Sequence, residues 1–463
     1  MTPQREVQVD PTGGKKPRVV SRLADWEYLE RSVHRALAGW GRHLAEWDEK
    51  VAVCRHIWEQ AECVRRIRDR LAEFPGTRGN QNRPVSVRLE RLVNAALLAP
   101  SVEDALDGIH GILNAAIVKS YIGYAEAAHP VHDAPTLAAV AENVRAKEGF
   151  RLWLRERRRR IPHTADEAYV HRLQEALEAC NHLSAPIPVE GESAEPLGVR
   201  TDFRPAARSP HPAGTLDRPD MMPFLEADFA YDLEARRLFW CYAYMREMNL
   251  AEDQLKWIYD AHWMPWEFLQ DVTRHMWDES RHGQSGRSRL MDFGIDITET
   301  GFPYYDKDET QRVSDEETQT AKAARMTPKD LYENVFFIGM VAETGHFAVK
   351  HEAYADFKEG GDTESAEMMI FDIIDETTHV QYAHKWLPIL AERAGISSDD
   401  FKRRGAEIRR HQQAEADARA ERERSLPREG PAYRLYADLI ERMRSRLPLT
   451  NAETCPRRSG KPM

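Results

Sequence analysis

A chain of 463 residues with 42% hydrophobic and 30% charged side chains is too long for one ordinary core and too apolar to be disordered; two domains plus a tail are expected. The 65 basic against 76 acidic residues leave a formal charge of −11, which repels a phosphate backbone and argues against nucleic acid as the main partner. Five cysteines without a Cys-x-x-Cys pair, no apolar run of eighteen residues and no hydrophobic leader give the expectation of a cytoplasmic protein that neither crosses a membrane nor is exported.

Taken in chain order, residues 1–22 read as a flexible tail. From Leu23 onward Ala, Leu, Arg and Glu recur and apolar residues return at three and four, so the fold class is all-α. Residues 23–183 are expected to form an N-terminal helical domain, with helices over 25–74, 85–129 and 134–159 and a loop at 76–84. It is read as a metal-free bundle that packs on a catalytic one and shapes its entrance. The basic run Arg157–Arg160 reads as a helix end and not as a nucleic-acid patch. Residues 184–225, rich in proline and glycine, read as a linker.

The next segment, 226–393, contains two helical hairpins. The first arm of hairpin one covers 230–261, the sequence His262-Trp263-Met264-Pro265 interrupts it, and Pro265 suits the first turn of a second arm to about residue 293. Hairpin two opens at Thr327-Pro328-Lys329-Asp330, an N-cap with proline at N1, runs to Glu359, turns at Gly360-Gly361 and restarts after Asp362 to end near Arg393. A polar connection, 294–326, joins them. Four helices with one long crossover have this layout. Residues 394–463 read as charged helices and a tail, and the mixed-sign stretch 401–425 as a solvated helix.

The chemistry is carried by Asp278-Glu279-Ser280-Arg281-His282 and Asp375-Glu376-Thr377-Thr378-His379. In a helix, residues i and i+3 share a face, so each Glu-x-x-His aims a carboxylate and an imidazole at one point. Four Glu-x-x-His occur, the others being Glu126/His129 and Glu343/His346, so spacing must decide. Glu247 stands 32 residues before Glu279 and Glu343 stands 33 before Glu376, with a hairpin turn near the middle of each interval. Folding at those turns brings the paired carboxylates to one height on antiparallel neighbours, since both arms rise about 1.5 Å per residue. The competing reading makes these acids surface residues or members of buried ion pairs. Facing one another in an apolar bundle, four carboxylates would cost several kcal/mol each unless protonated or metal-bound.

This pattern resembles the ferritin-like di-iron carboxylate proteins over about residues 226–393. The resemblance implies Glu247, Glu279, His282, Glu343, Glu376 and His379 as metal ligands and two iron ions as cofactor, with Fe/Mn or two Mn as alternatives. The aspartate before each motif, and Arg281, are similar to the form found in bacterial di-iron hydroxylases. There such aspartates orient the histidine of the opposite motif, which assigns Asp278 to His379 and Asp375 to His282. Thr378, where an arginine often stands, departs from that form.

Four neighbours carry weaker expectations. His346, one turn beyond Glu343, is read as an extra ligand or a donor behind the ligands, against a satisfied core histidine. His275, Tyr244 and Tyr382 are expected behind the ligands, with core packing the competing reading for the tyrosines. Gly283, Gly286 and Gly339 leave room for oxygen or substrate, or else permit close helix packing. The expected function is a non-haem oxidase or oxygenase using O2 on a small organic substrate with an external electron donor, and a homodimer is compatible with it. A metal-binding helical scaffold without redox catalysis is the alternative.

Overall fold

The computed structural model describes residues 15–75, 81, 85–189, 192–193, 203–207, 209–211, 219–301, 325–397, 399–400, 402–403, 405–406, 410 and 426–446. The fold is all-α. Among the described residues the strands are a two-residue antiparallel pair, Val85–Ser86 against Glu192–Ser193. The chain divides into two compact units, one of residues 1–43 and 55–205, the other of 44–54 and 206–463. Residues 44–54 thus group with the second unit, although the division by sequence assigned them to the first.

The first unit contains α1 (Lys15–Gly41), which begins inside the expected tail, and the part of α2 (Trp47–Ala72) from Arg55 onward. Next come α3 (Val87–Leu97), α4 (Val102–Leu106), a π-helical stretch Asp107–Leu113, α5 (Asn114–Ala127), α6 (Ala134–Arg160) and α7 (Glu167–Ala179). The helix expected over 85–129 starts after Ser86, which accepts from Arg88 N–H at 3.3 Å, and is broken where Ser101 caps a new start by accepting from Asp104 N–H at 3.1 Å. Its core includes Leu23, Leu29, Leu37, Ile57, Ile67, Leu89 and Ile109, none of which is exposed. Charged groups also lie at the centre: Lys147 pairs with Glu30 at 2.7 Å, neither side chain reaching solvent.

The second unit contains α8 (Met222–Asp228), α9 (Leu233–Arg246), α10 (Met248–Asp260), α11 (Trp266–Asp292) and the short α12 (Ile297–Thr300). It continues with α13 (Pro328–Phe337), a π-helical stretch Ile338–Ala342, α14 (Glu343–Glu359), α15 (Thr363–Arg393) and α16 (Gly430–Arg446). Sequence chemistry sets the ends. Thr327 caps α13 by accepting from Asp330 N–H at 3.2 Å, Gly361 at φ 75° turns the chain, and Asp362 caps α15 by accepting from Ser365 N–H at 3.1 Å. In the crossover, the residues 302–324 lie outside the described ones.

The helices α9 and α10 pack on α11, the helices α13 and α14 pack on α15, and α11 meets α15. Close approach depends on glycine: a Cβ at Gly286 would stand 2.4 Å from Met245 N and 2.5 Å from Cys241 O, and one at Gly339 2.3 Å from Ala383 Cβ. These glycines therefore serve helix packing, and the reading that they leave space for oxygen is set aside. Helix α16 carries an apolar stripe, Tyr436, Leu439, Ile440 and Met443, that packs with α8 and α9. Most of 401–425, read as a solvated helix, lies outside the described residues.

Candidate metal centre

Two helices supply the same spacing to the middle of the second unit. On α11 stand His275, Glu279 and His282; on α15 stand Asp372, Glu376 and His379. Positions i, i+4 and i+7 of a helix fall within about 60° of one another, so each helix aims three polar groups inward from one stripe. The remaining two carboxylates occur where helices are irregular. Glu247 is the single residue between α9 and α10, and Glu343 follows directly on the π-helical stretch. Such π turns shift the register of a helix face and recur at functional sites.

Among the described residues, two groups of side chains each bring metal-donor atoms within 4.8 Å of one another: His275, Glu279, Glu343 and His379, and Glu247, His282 and Asp372. In the first, His275 Nε2 is 2.8 Å from Glu279 Oε1 and 3.0 Å from Glu343 Oε1, while His379 Nδ1 is 3.6 Å and 3.4 Å from the same two oxygens. Ligands about 2.1 Å from a tetrahedral ion stand roughly 3.4 Å apart, so these separations leave the volume of one cation between them. In the second, His282 Nδ1 is 3.1 Å from Glu247 Oε2, 3.5 Å from Asp372 Oδ1 and 3.7 Å from Glu279 Oε2. Glu279 therefore reaches both groups, one oxygen to each.

The imidazoles are held from behind and across. His379 Nε2 is 3.2 Å from Asp278 Oδ2, and His282 Nε2 is 3.2 Å from Asp375 Oδ2. Arg274 and Arg281 each bridge the same two aspartates, Arg274 donating to Asp278 at 2.8 Å and Arg281 to Asp375 at 2.7 Å. With Nε2–H donated to a carboxylate, each Nδ1 turns a lone pair toward the centre.

Seven polar atoms there are buried without a hydrogen-bond partner: Glu247 Oε2, His282 Nδ1, both oxygens of Glu343, Asp372 Oδ1, Glu376 Oε2 and His379 Nδ1. Their polar neighbours are one another and His275 Nε2, 3.0 Å from Glu343 Oε1, an arrangement that is repulsive unless protons or metal ions lie between. Without metal, protons fill that role. Burial pulls the His275 imidazole down, but Glu343 and Glu279 outweigh it and hold it at about 10. Burial, with Glu279 beside it, pushes the Glu247 carboxyl up to about 7 against the pull of His282. Burial and Asp372 push Glu376 well above the usual carboxylate range, even with Lys350 opposing. The Lys350 ammonium, 2% exposed, lies 2.6 Å from Asp372 Oδ2 and also bonds Glu376 Oε1.

The structure alters several sequence-based expectations. His275, expected behind the ligands, stands among the donors and stacks on His379 with ring centroids 3.6 Å apart. Glu376, expected as a ligand, stands in neither donor group and holds Lys350. Asp372 escapes the sequence reading, although its place four residues before Glu376 repeats that of His275 before Glu279. His346 is exposed and joins neither group: at about 100° per residue, Lys350 at i+7 from Glu343 returns closer to its direction than His346 at i+3. Tyr244 is buried and donates to Asp372 Oδ2 at 2.8 Å. Tyr382 is half-buried near Asp271, and burial with that charge raises its phenol to about 12. A pocket of about 330 Å³ lined by Tyr244, His282, Asp372, Asp375, Met368 and Phe371, among others, gives access to the Glu247 side of the centre.

A family model matches this region. Over residues 245–425 the chain is similar to the family described as protein of unknown function, DUF455. The match spans both donor groups, Lys350 and the paired aspartates. No curated protein and no solved structure matches the chain.

Proposed function

We propose that the second unit is a ferritin-like four-helix bundle that holds two iron ions, and that the protein is a non-haem di-iron oxidase or oxygenase using O2 on a small organic substrate. The observation that carries this reading is the convergence of the two donor groups, six of whose buried atoms have no hydrogen-bond partner. Charge supports it. Five carboxylates (Glu247, Glu279, Glu343, Asp372, Glu376) against the one ammonium of Lys350 leave four negative charges, which two divalent ions balance. The donors are imidazole and carboxylate without thiolate, a set suited to iron and also to manganese.

Iron, when bound, supplies the redox electrons and open positions that oxygen chemistry needs. The chain's own part is binding and orientation. Glu279 extends one oxygen to each group, His275, Glu343 and His379 complete one, and Glu247, His282 and Asp372 the other. Asp278 and Asp375 keep the Nε2 protons of His379 and His282, which leaves Nδ1 for metal. The pocket beside His282 admits a small substrate, and electrons come from an external donor.

The second reading is a metal-holding helical scaffold without redox chemistry, and the closed, fully buried group of His275, Glu279, Glu343 and His379 favours it. Anaerobic loading with Fe(II), elemental analysis and then exposure to O2 separate the two. An enzyme develops near-ultraviolet and visible absorption of an oxidised two-iron centre and consumes oxygen; a scaffold binds metal and stays silent. Failure to retain any metal after iron-replete expression sinks both.

A further inference from the structure

The two donor groups are built by the same rule yet are not alike. Exchanging the hairpins matches Glu343 with Glu247, His379 with His282, His275 with Asp372, and Glu279 with Glu376. The match fails seven residues after each first carboxylate, where Glu247 is followed by Gln254 and Glu343 by Lys350. The failure has a geometric result. Glu279, whose Oε1 lies 2.8 Å from His275 Nε2, has that oxygen 3.6 Å from His379 Nδ1 and the other 3.7 Å from His282 Nδ1, with no ammonium on either. Its counterpart Glu376 has Oε1 bonded to the Lys350 ammonium, which also holds Asp372 Oδ2 at 2.6 Å.

The first unit shows the same device carried further. Lys147 pairs with Glu30 at 2.7 Å and donates to Asn114 Oδ1 at 2.7 Å and Gln60 Oε1 at 3.1 Å, all in the unit's core. No metal-donor group is found in that unit among the described residues. A buried ammonium there answers core acidity without an ion.

We propose that Lys350 is a resident cation of the Glu247, His282 and Asp372 group and makes the two metal sites unequal. A divalent ion fills the His275, Glu279, Glu343 and His379 site first and enters the second against the ammonium. The inference rests on the di-metal reading. Lys350 holds Glu376 Oε1 and Asp372 Oδ2, oxygens that would otherwise serve the ion, and like charges a few ångströms apart in a buried site repel strongly, so the second step is weaker by at least about tenfold.

The test is an anaerobic titration of the full chain, stripped by chelator, with Mn(II), followed by calorimetry and electron paramagnetic resonance. The wild type should bind in two steps, giving an isolated Mn(II) spectrum at one equivalent and a coupled one only beyond it. K350Q and K350M should each tighten the second step about tenfold or more and leave the first nearly unchanged, while K350R keeps the second weak. Circular dichroism checks their folding. Two steps of equal affinity in the wild type overturn the proposal even where no variant can be purified, as does a second step that K350Q and K350M leave in place. Absence of any Mn(II) binding instead removes the di-metal reading and this inference with it.

Discussion

Two of the three imidazoles at the centre, His282 and His379, work through the aspartate behind them. A neutral ring offers a lone pair to a metal only on the nitrogen that carries no proton, and Asp278 and Asp375 hold the proton on Nε2 of His379 and His282. Asp278→Asn or Asp375→Asn should therefore lower metal affinity about tenfold to hundredfold while the far-ultraviolet helical signal persists; a chelator competition assay reads this. The protons that fill the metal-free centre make a second prediction. A carboxyl whose pKa is raised by folding favours the fold while protonated, so Glu247 contributes fully below its ordinary 4.5 and loses that contribution as pH climbs through about 7. His275 likewise favours the fold while charged, and its contribution disappears only as pH passes about 10. The melting temperature of the metal-free protein, taken relative to that of Glu247→Gln so that the buried neutral histidines such as His34 and His56 cancel, should thus fall between pH 5 and 8, and metal binding should release protons. A flat profile over that range would contradict the crowding of acids described above.

Among the elements, the pairing of α9 with α11 sets how near Glu247 comes to His282. Gly286 permits it, since a Cβ there would meet backbone atoms of α9 that have no rotamer to escape into. Gly286→Ala gains helix propensity but must separate the two helices, for a net loss of about 1–2 kcal/mol in chemical denaturation. The weaker of the two metal-binding steps should suffer with it. Element ends are legible in the amino-acid sequence because capping is local: Thr327-Pro328, Gly360-Gly361 and Asp362 act through their own backbone and side-chain chemistry. The break at Glu247 and the π-helical stretch ahead of Glu343 are not. No residue type demands them, and they arise where a helix must turn a carboxylate into a crowded interior.

For the whole molecule, metal should act as a ligand of the folded state alone. Saturation at one hundred times the dissociation constant adds about 2.7 kcal/mol, and chelation should remove it. Hydrogen exchange should show the added protection in peptides of α9–α11 and α13–α15; protection gained within residues 55–189 would move the site to the other unit. The amino-acid order sets the all-α class and the two hairpin turns, because periodicity and caps are properties of neighbours along the chain. It also selected Glu247, Glu279, His282, Glu343 and His379, because equal spacing about a turn is already a statement of height along antiparallel helices. The remaining features arise from how the helices pack. Whether His275, Asp372 and Lys350 face the centre, and whether Glu376 answers a metal or an ammonium, depends on helix rotation and on which charge arrives from the opposite helix. Neither is written in the spacing of any one segment.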